Sequence, residues 1–397
     1  MGIQIVQSKK RFELKDTFRY NFDKNQLYEA YNFLNTIKEC SNSPLIELKN
    51  MSNFLGLNKL FVKDENRRCI LKSFKILGAT YAISKYICEK LNLNIEKITF
   101  NDLKSKEIKK QLGDITFTTC SDGNHGRAVA WACNQLGYKS VIYLNKGTDL
   151  ARADAIKDLG GKAIITALNY DDTVRYANKT AKENGWIIIQ DTSWEGYKEI
   201  PIWIMRGYSK MAQECISVLE SDNTLPTHIF VQAGVGAMAG GVTAFLSNYF
   251  NENNMPLITV IEPTNAACYF ESCSANDGHI HKITGDLESI MAGLACGEPI
   301  KEGWEVLKNY ASHFIKCDDE IAIQGMKILK IPLQGDESIT SGESGAVSMG
   351  LIYNIMLNSE YKYIKELLNL DSKSNILIFS TEGDTAPLKY RKLIWEV

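Results

Sequence analysis

The sequence predicts a doubly wound α/β protein, and three observations support this. Short β-rich runs at 60–63, 115–118, 140–144, 163–166, 186–190, 228–232, 257–261 and 375–379 alternate with helical patterns over 74–91, 126–136, 150–159, 171–184, 201–219, 238–250 and 343–356. Such alternation of strand and helix builds layered sheets with crossover helices. Ile187-Ile188-Ile189 and Ile376-Leu377-Ile378-Phe379 are continuous apolar runs, as strands require when helices cover both faces of a sheet. Gly137, Gly160-Gly161 and Gly185 follow helical patterns, where a residue tolerating left-handed backbone ends the helix.

The chain has 397 residues, which corresponds to about two or three domains. Hydrophobic residues at 45% and charged residues at 23% belong to a chain with a large core, excluding a disordered protein or a small disulfide scaffold. Lys+Arg 45 against Asp+Glu 47 leaves a net charge of −2, so no global field draws nucleic acid or an anionic membrane. Ten cysteines include no Cys-x-x-Cys pair, against zinc-ribbon and thioredoxin-like readings. The first ten residues lack the apolar stretch of a signal peptide, and Val6 stands where a myristoylation signal has Ser or Thr. No window reaches 18 uncharged apolar residues, so no membrane span is expected. The expectation is a cytoplasmic protein with reduced thiols.

The run Gly234-Val235-Gly236-Ala237-Met238-Ala239 follows a strand and opens a helix. Its backbone N–H groups and the positive helix end form an anion site, most naturally for a phosphate. Taken alone it also fits a dinucleotide fingerprint, with Glu262 ending the next strand where an acid would bind a ribose hydroxyl. A nicotinamide-dependent dehydrogenase therefore stands as an alternative at this point.

Lys75 opens a helical stretch between Phe74 and Ile76-Leu77. A lysine on a helix ordinarily faces water; desolvation here would lower its pKa and free the amine for a Schiff base with an aldehyde cofactor. The run Thr119-Cys-Ser-Asp-Gly-Asn-His-Gly-Arg127 lies between a strand and a helix. Asp122 and Asn124 could serve there as helix caps, and the small residues beside Asn124-His125 suit a polar loop pressed against a planar ligand.

Together the lysine, the asparagine loop and the later glycine loop resemble the fold type II pyridoxal-phosphate enzymes. The resemblance implies two doubly wound α/β domains with the active site between them, and pyridoxal 5'-phosphate as cofactor. It implies that Lys75 carries the cofactor, that Asn124 contacts the ring hydroxyl, and that residues 234–239 hold the phosphate. The fingerprint reading explains one of these three motifs and falls to a minor alternative. Longer strings narrow the resemblance: Asp122-Gly-Asn-His-Gly-Arg127, Asp191-Thr-Ser-Trp-Glu-Gly-Tyr197, Met291-Ala-Gly-Leu-Ala-Cys-Gly-Glu-Pro299, Ser341-Gly-Glu-Ser-Gly-Ala346 and Ser380-Thr-Glu-Gly-Asp-Thr385 are similar to the diaminopropionate ammonia-lyases, over roughly residues 43–395. Serine and threonine dehydratases of the same fold usually carry Ser where this chain has Asp122, and such a dehydratase remains the runner-up.

The resemblance implies elimination of ammonia from D- and L-2,3-diaminopropionate to give pyruvate and two ammonia molecules. One base cannot reach both faces of Cα without reorienting the substrate, so Lys75 is assigned to the L isomer and Asp122 to the D isomer. Asp191, just past an apolar strand, is expected at the substrate amino group. Ser380 or Thr381 is expected at the ring nitrogen, with Glu382 and Asp384 as complicating acids. A homodimer and a small amino-acid substrate are the expected partners, with no nucleic acid and no membrane. A large cofactor-binding domain is expected over 1–112 and 188–397, with a small α/β domain over 113–187. Ser121 and Ser193 depart from the Thr or Ala of relatives, and Ala386 stands where another Asp would be more familiar. Cys268 and Cys296 lie in matching segments where a disulfide is conceivable, although the cytoplasmic expectation favours thiols. His279-x-His281 resembles a metal pair without a third ligand, so no metal is expected.

Overall fold

The computed structural model describes residues 2–9, 16–121 and 123–395. Among the described residues eleven strands form two sheets. They are β1 (Ile3–Gln7), β2 (Leu45–Glu47), β3 (Lys59–Asp64), β4 (Thr116–Ser121), β5 (Lys139–Leu144), β6 (Lys162–Ile165), β7 (Ile187–Ile188), β8 (His228–Gln232), β9 (Leu257–Pro263), β10 (His313–Cys317) and β11 (Asn375–Ser380). The larger sheet runs β1-β10-β9-β8-β11-β3-β2 and the smaller β6-β5-β4-β7. In the larger sheet β10, β9, β8, β11 and β3 are parallel, with β1 and β2 antiparallel at the two edges. All neighbours in the smaller sheet are parallel.

Parallel pairing explains the composition of these strands. Each needs a crossover helix, which covers its face and demands apolar side chains on both sides. Every residue of β8 is buried, as are residues 376–380 of β11. The register sets Gln232 beside Ile261, and Ser380 beside Asp64. The carboxyl ends of β8, β9 and β11 thus carry Gln232, Glu262 and Ser380 at the edge where ligands of α/β sheets gather.

The chain divides into two compact units. One comprises Met1–Tyr20, Asn42–Ser73 and Met211–Val397, the other Asn21–Ser41 and Phe74–Lys210. The sequence reading confined the small domain to 113–187, which holds most of the smaller sheet. The second unit also takes in 21–41, 74–112 and 188–210: helix Lys75–Lys90 packs on helix Asn124–Leu136 and the Phe74 ring meets Tyr208 edge-on at 4.7 Å. Alternation in sequence locates strands; it does not show which neighbouring helices pack onto them.

In the first unit the segment after β3 is fastened by a buried ion group. Lys63 Nζ lies 2.5 Å from Glu214 Oε2, and the Arg68 guanidinium bridges Glu65 and Glu214. Ser43 donates to Glu65 and its carbonyl accepts from Lys63. Two buried cations and two buried anions compensate one another, the condition under which buried charge is tolerated.

Candidate active site

In the second unit Lys75 is the first residue of helix Lys75–Lys90, and no side chain caps that helix. Its Nζ lies 2.6 Å from Asp191 Oδ2, with the side chains 17% and 3% exposed. The rings of Phe74 and Tyr208 stand 5.3 and 5.6 Å from the amine. The sequence led us to expect an amine dried by apolar neighbours. The structure supplies aromatic walls and adds a carboxylate directly on the amine.

Asp191 is held there by the residue before it. Gln190 ends the apolar run 187–189, and its amide oxygen accepts from Thr119 Oγ1 and the Cys120 N–H, both at 2.8 Å. Its amide nitrogen donates to Tyr170 Oη at 3.0 Å and to Asp191 Oδ1 at 3.3 Å. Tyr197 Oη accepts from the Gln190 N–H at 2.7 Å and donates to the Ile188 carbonyl at 3.0 Å. Trp194 stacks on Tyr197 with ring centroids 4.2 Å apart, closing the turn 194–197. Burial pushes the Asp191 carboxyl up, but the charges of Lys75 and His125 outweigh it and hold its pKa at about 2.

The Asn124 loop is built from small hydrogen bonds. Ser121, which departs from the residues expected in relatives, accepts from the N–H groups of Gly123 and Gly126, both at 2.8 Å. Asn124 and His125 begin helix Asn124–Leu136 and are buried. His125 Nε2 donates to the Ile189 carbonyl at 2.8 Å, which assigns its tautomer when neutral. Asp122 lies outside the described residues.

In the first unit the glycine loop joins β8 to helix Ala237–Tyr249, and no side chain caps this helix. Gly234 approaches the 291–296 segment so closely that a Cβ would sit 2.8 Å from the Gly293 carbonyl. Gly236 has φ +88°, and its Cβ would fall 2.0 Å from Tyr269 Oη. Glycine is therefore required at both positions, by close approach and by backbone sign. Residues 234–239 carry no ionisable side chain, so what the loop itself offers an anion is its backbone N–H groups and the helix end behind them.

Gln232 Nε2 reaches the carbonyls of Ser344, Gly345 and Phe379 at 2.8–3.1 Å, which ties the ends of β8 and β11 to the start of helix Glu343–Leu357. Around this tie the Ser341, Ser344 and Ser380 hydroxyls are buried with no hydrogen-bond partner among the described residues. A buried orphan hydroxyl is costly, so this is where a polar ligand atom fits. Thr381 is buried next to Ser380. Of the two complicating acids, Asp384 pairs with Lys72 at 2.6 Å, and Glu382 is buried, with its backbone in an antiparallel bridge to Ser73. An uncapped helix end behind a glycine loop, and a neutral orphan hydroxyl on the adjacent strand, fit a phosphate ester and a ring nitrogen respectively.

Glu262 settles the competing fingerprint. Its carboxylate accepts from the N–H groups of Tyr269 and Phe270 at 2.8 and 2.7 Å and is buried, so it does not present itself to a ribose. Residues 38–363 match the model of the pyridoxal-phosphate dependent enzymes. The chain belongs to that family. Over 370 residues, 93% of this chain and 91% of the relative, this pyridoxal-phosphate enzyme is 44% identical to the diaminopropionate ammonia-lyase of Salmonella typhimurium. The crystal structure of selenomethionine-containing holo diaminopropionate ammonia lyase from Escherichia coli matches with a TM-score of 0.92 at 42% identity, covering 100% of this chain and 97% of that one. The complex of the Escherichia coli enzyme with D-serine also gives 0.92, at 41% identity and the same coverage. Fold type II, expected from the motifs, is the fold of this chain.

Cys268 and Cys296 are buried and not joined in a disulfide. His281 Nε2 pairs with Asp277 at 2.8 Å, and among the described residues no group of three or more His, Cys, Asp or Glu side chains could hold a metal ion. Among the described residues no helix is long and apolar enough to cross a membrane. Sequence reading missed Gln190, Tyr197, Gln232 and Tyr269. A polar residue ending a buried apolar strand was the available signal for Gln190 and Gln232; Tyr269 gave none.

Proposed function

We propose that this enzyme eliminates ammonia from D- and L-2,3-diaminopropionate, giving pyruvate and two molecules of ammonia. The observation that carries this reading is the Lys75–Asp191 pair, 2.6 Å apart on a buried carboxylate, in a chain 44% identical to a named diaminopropionate ammonia-lyase. When bound, pyridoxal phosphate supplies the electron sink that makes the substrate Cα–H acidic. Lys75 carries the cofactor aldehyde, Asn124 contacts the ring hydroxyl, and residues 234–239 hold the phosphate. Ser380, with its orphan hydroxyl, is the better candidate for the ring nitrogen than Thr381. A neutral partner there leaves the ring less protonated and favours prompt elimination.

Asp191, whose carboxyl the Lys75 ammonium holds low, is the carboxylate we assign to the cationic amine of the substrate. Lys75 removes the Cα proton of the L isomer and Asp122 that of the D isomer, from opposite faces. The D-serine complex of the Escherichia coli relative supports access for D substrates. Dehydration of serine or threonine is the second reading, and an orphan hydroxyl at Ser380 serves either. We further propose a cytoplasmic homodimer, which gel filtration with light scattering checks.

Borohydride reduction followed by peptide mass spectrometry tests the cofactor attachment, with the modified peptide expected at Lys75. Pyruvate assays with D- and L-diaminopropionate, serine and threonine test the substrate. Faster turnover of serine or threonine overturns the leading reading. Asp122→Asn is expected to lower D turnover by about a hundredfold or more while L turnover falls much less. Equal loss for both isomers rejects the division of labour.

A further inference from the structure

Glu262 is ionisable, buried and unused by the reaction, and its surroundings explain how the glycine loop keeps its shape. Helix Cys268–Ala275 starts immediately below that loop within the same unit. Its first residues meet the loop carbonyls: Tyr269 Oη donates to the Val235 carbonyl at 2.8 Å, and Cys268 Sγ reaches the Gly234 carbonyl at 4.0 Å. The Ile300 N–H donates to the same Val235 carbonyl at 2.8 Å. Glu262 in turn holds the N–H groups of Tyr269 and Phe270, which fixes where that helix begins.

A trans peptide is planar, and its carbonyl and N–H point in opposite directions; no described peptide here is cis. Engaging the carbonyls of Gly234 and Val235 from below therefore turns the N–H groups of Val235 and Gly236 to the other face. Successive N–H groups on one face make an anion-binding nest. The geometry leaves no slack, because Tyr269 Oη occupies the space a Cβ on Gly236 would need.

We propose that Glu262 and Tyr269 are positioning residues for the cofactor phosphate: they hold the loop carbonyls down so that the loop amides are preformed for the anion. This rests on the reading that residues 234–239 hold the phosphate. Neither residue touches the ligand, and the expected signature is selectivity for the phosphate group.

The test titrates apoenzyme with pyridoxal phosphate and with pyridoxal, followed by absorbance, for the wild type, Tyr269→Phe and Glu262→Gln. Loss of one buried hydrogen bond corresponds to roughly tenfold weaker pyridoxal-phosphate binding in Tyr269→Phe, with pyridoxal binding unchanged within about twofold. The phosphorus NMR signal of bound cofactor is expected to shift or broaden in the variant. Glu262→Gln, which keeps the shape but places an amide N–H against a backbone N–H, is expected to act in the same direction. If both variants keep the full wild-type preference for the phosphorylated ligand, or lose affinity for both ligands equally, the inference is wrong. If the wild type binds pyridoxal as tightly as pyridoxal phosphate, the phosphate reading of the loop fails, and the inference fails with it.

Discussion

Two buried carboxylates, one in each unit, are driven in opposite directions. Asp191 has its pKa held at about 2, while burial pushes Glu262 up to about 8. Desolvation is the largest influence on both and raises both. Asp191 also faces the Lys75 ammonium, with His125 lowering it further, whereas Glu262 is met by the backbone N–H groups of Tyr269 and Phe270 and by the Cys268 thiol. A full opposite charge at hydrogen-bond distance offsets the loss of water; peptide dipoles do so only in part. The acid proposed to bind a cation is thus kept charged by side chains, and the acid proposed to support a loop is left close to neutrality.

The comparison breaks most forcibly at Lys75. Lys75→Ala is expected to lower pyruvate formation by at least about a thousandfold, since both the attachment point and a base are lost. The same change removes the main countercharge of Asp191. Its carboxyl is then expected to climb towards the range Glu262 occupies, as followed by carbon NMR of labelled aspartate through a pH titration. An Asp191 pKa that stays near 2 without the lysine would show that the Lys75 cation does not set it.

The two acids also act on stability in separate pH windows. Asp191, lowered on folding, contributes stability above its unfolded pKa of 3.8, and that contribution is lost as pH falls towards about 2. Glu262, raised on folding, favours the folded state below its unfolded pKa of 4.5, and the advantage is lost as pH rises towards about 8. Glu262→Gln removes only the second effect. The wild-type Tm is therefore expected to drift down relative to the variant by about 2–4 °C between pH 5 and 8. A gap between the two proteins that stays constant over this range would mean that Glu262 is ionised throughout.

Much of this contrast was legible in the sequence, though not its sign. Lys75, Asn124, Asp191 and the 234–239 loop announced themselves because each sits at a strand end or helix start, where chemistry-bearing residues stand out against apolar runs. Glu262 was visible too, but its position after β9 suggested a ribose contact. Only the fold shows its oxygens filled by two N–H groups from residues seven and eight places on. The strands 228–232 and 375–379 were long, apolar and easily found. β1, β2 and β10 went unpredicted: β1 and β2 are edge strands with mixed polarity, and His313 and Lys316 break the apolar run of β10. The pairing of Lys75 with Asp191 spans 116 positions in the chain, and no local pattern encodes a contact of that range.

Ser121 offers the finest test of the comparison, because it does with a neutral oxygen what Glu262 does with a carboxyl. Its hydroxyl accepts from two backbone N–H groups, of Gly123 and Gly126, and has no charge to titrate. Ser121→Ala strands both donors in a buried loop, which costs about 1–2 kcal/mol. Denaturant unfolding is expected to give the same loss at pH 5 and at pH 8. A loss that changed between them would mean that the loop senses an ionising neighbour, and the distinction between charge-held and dipole-held sites would then fail at its simplest example.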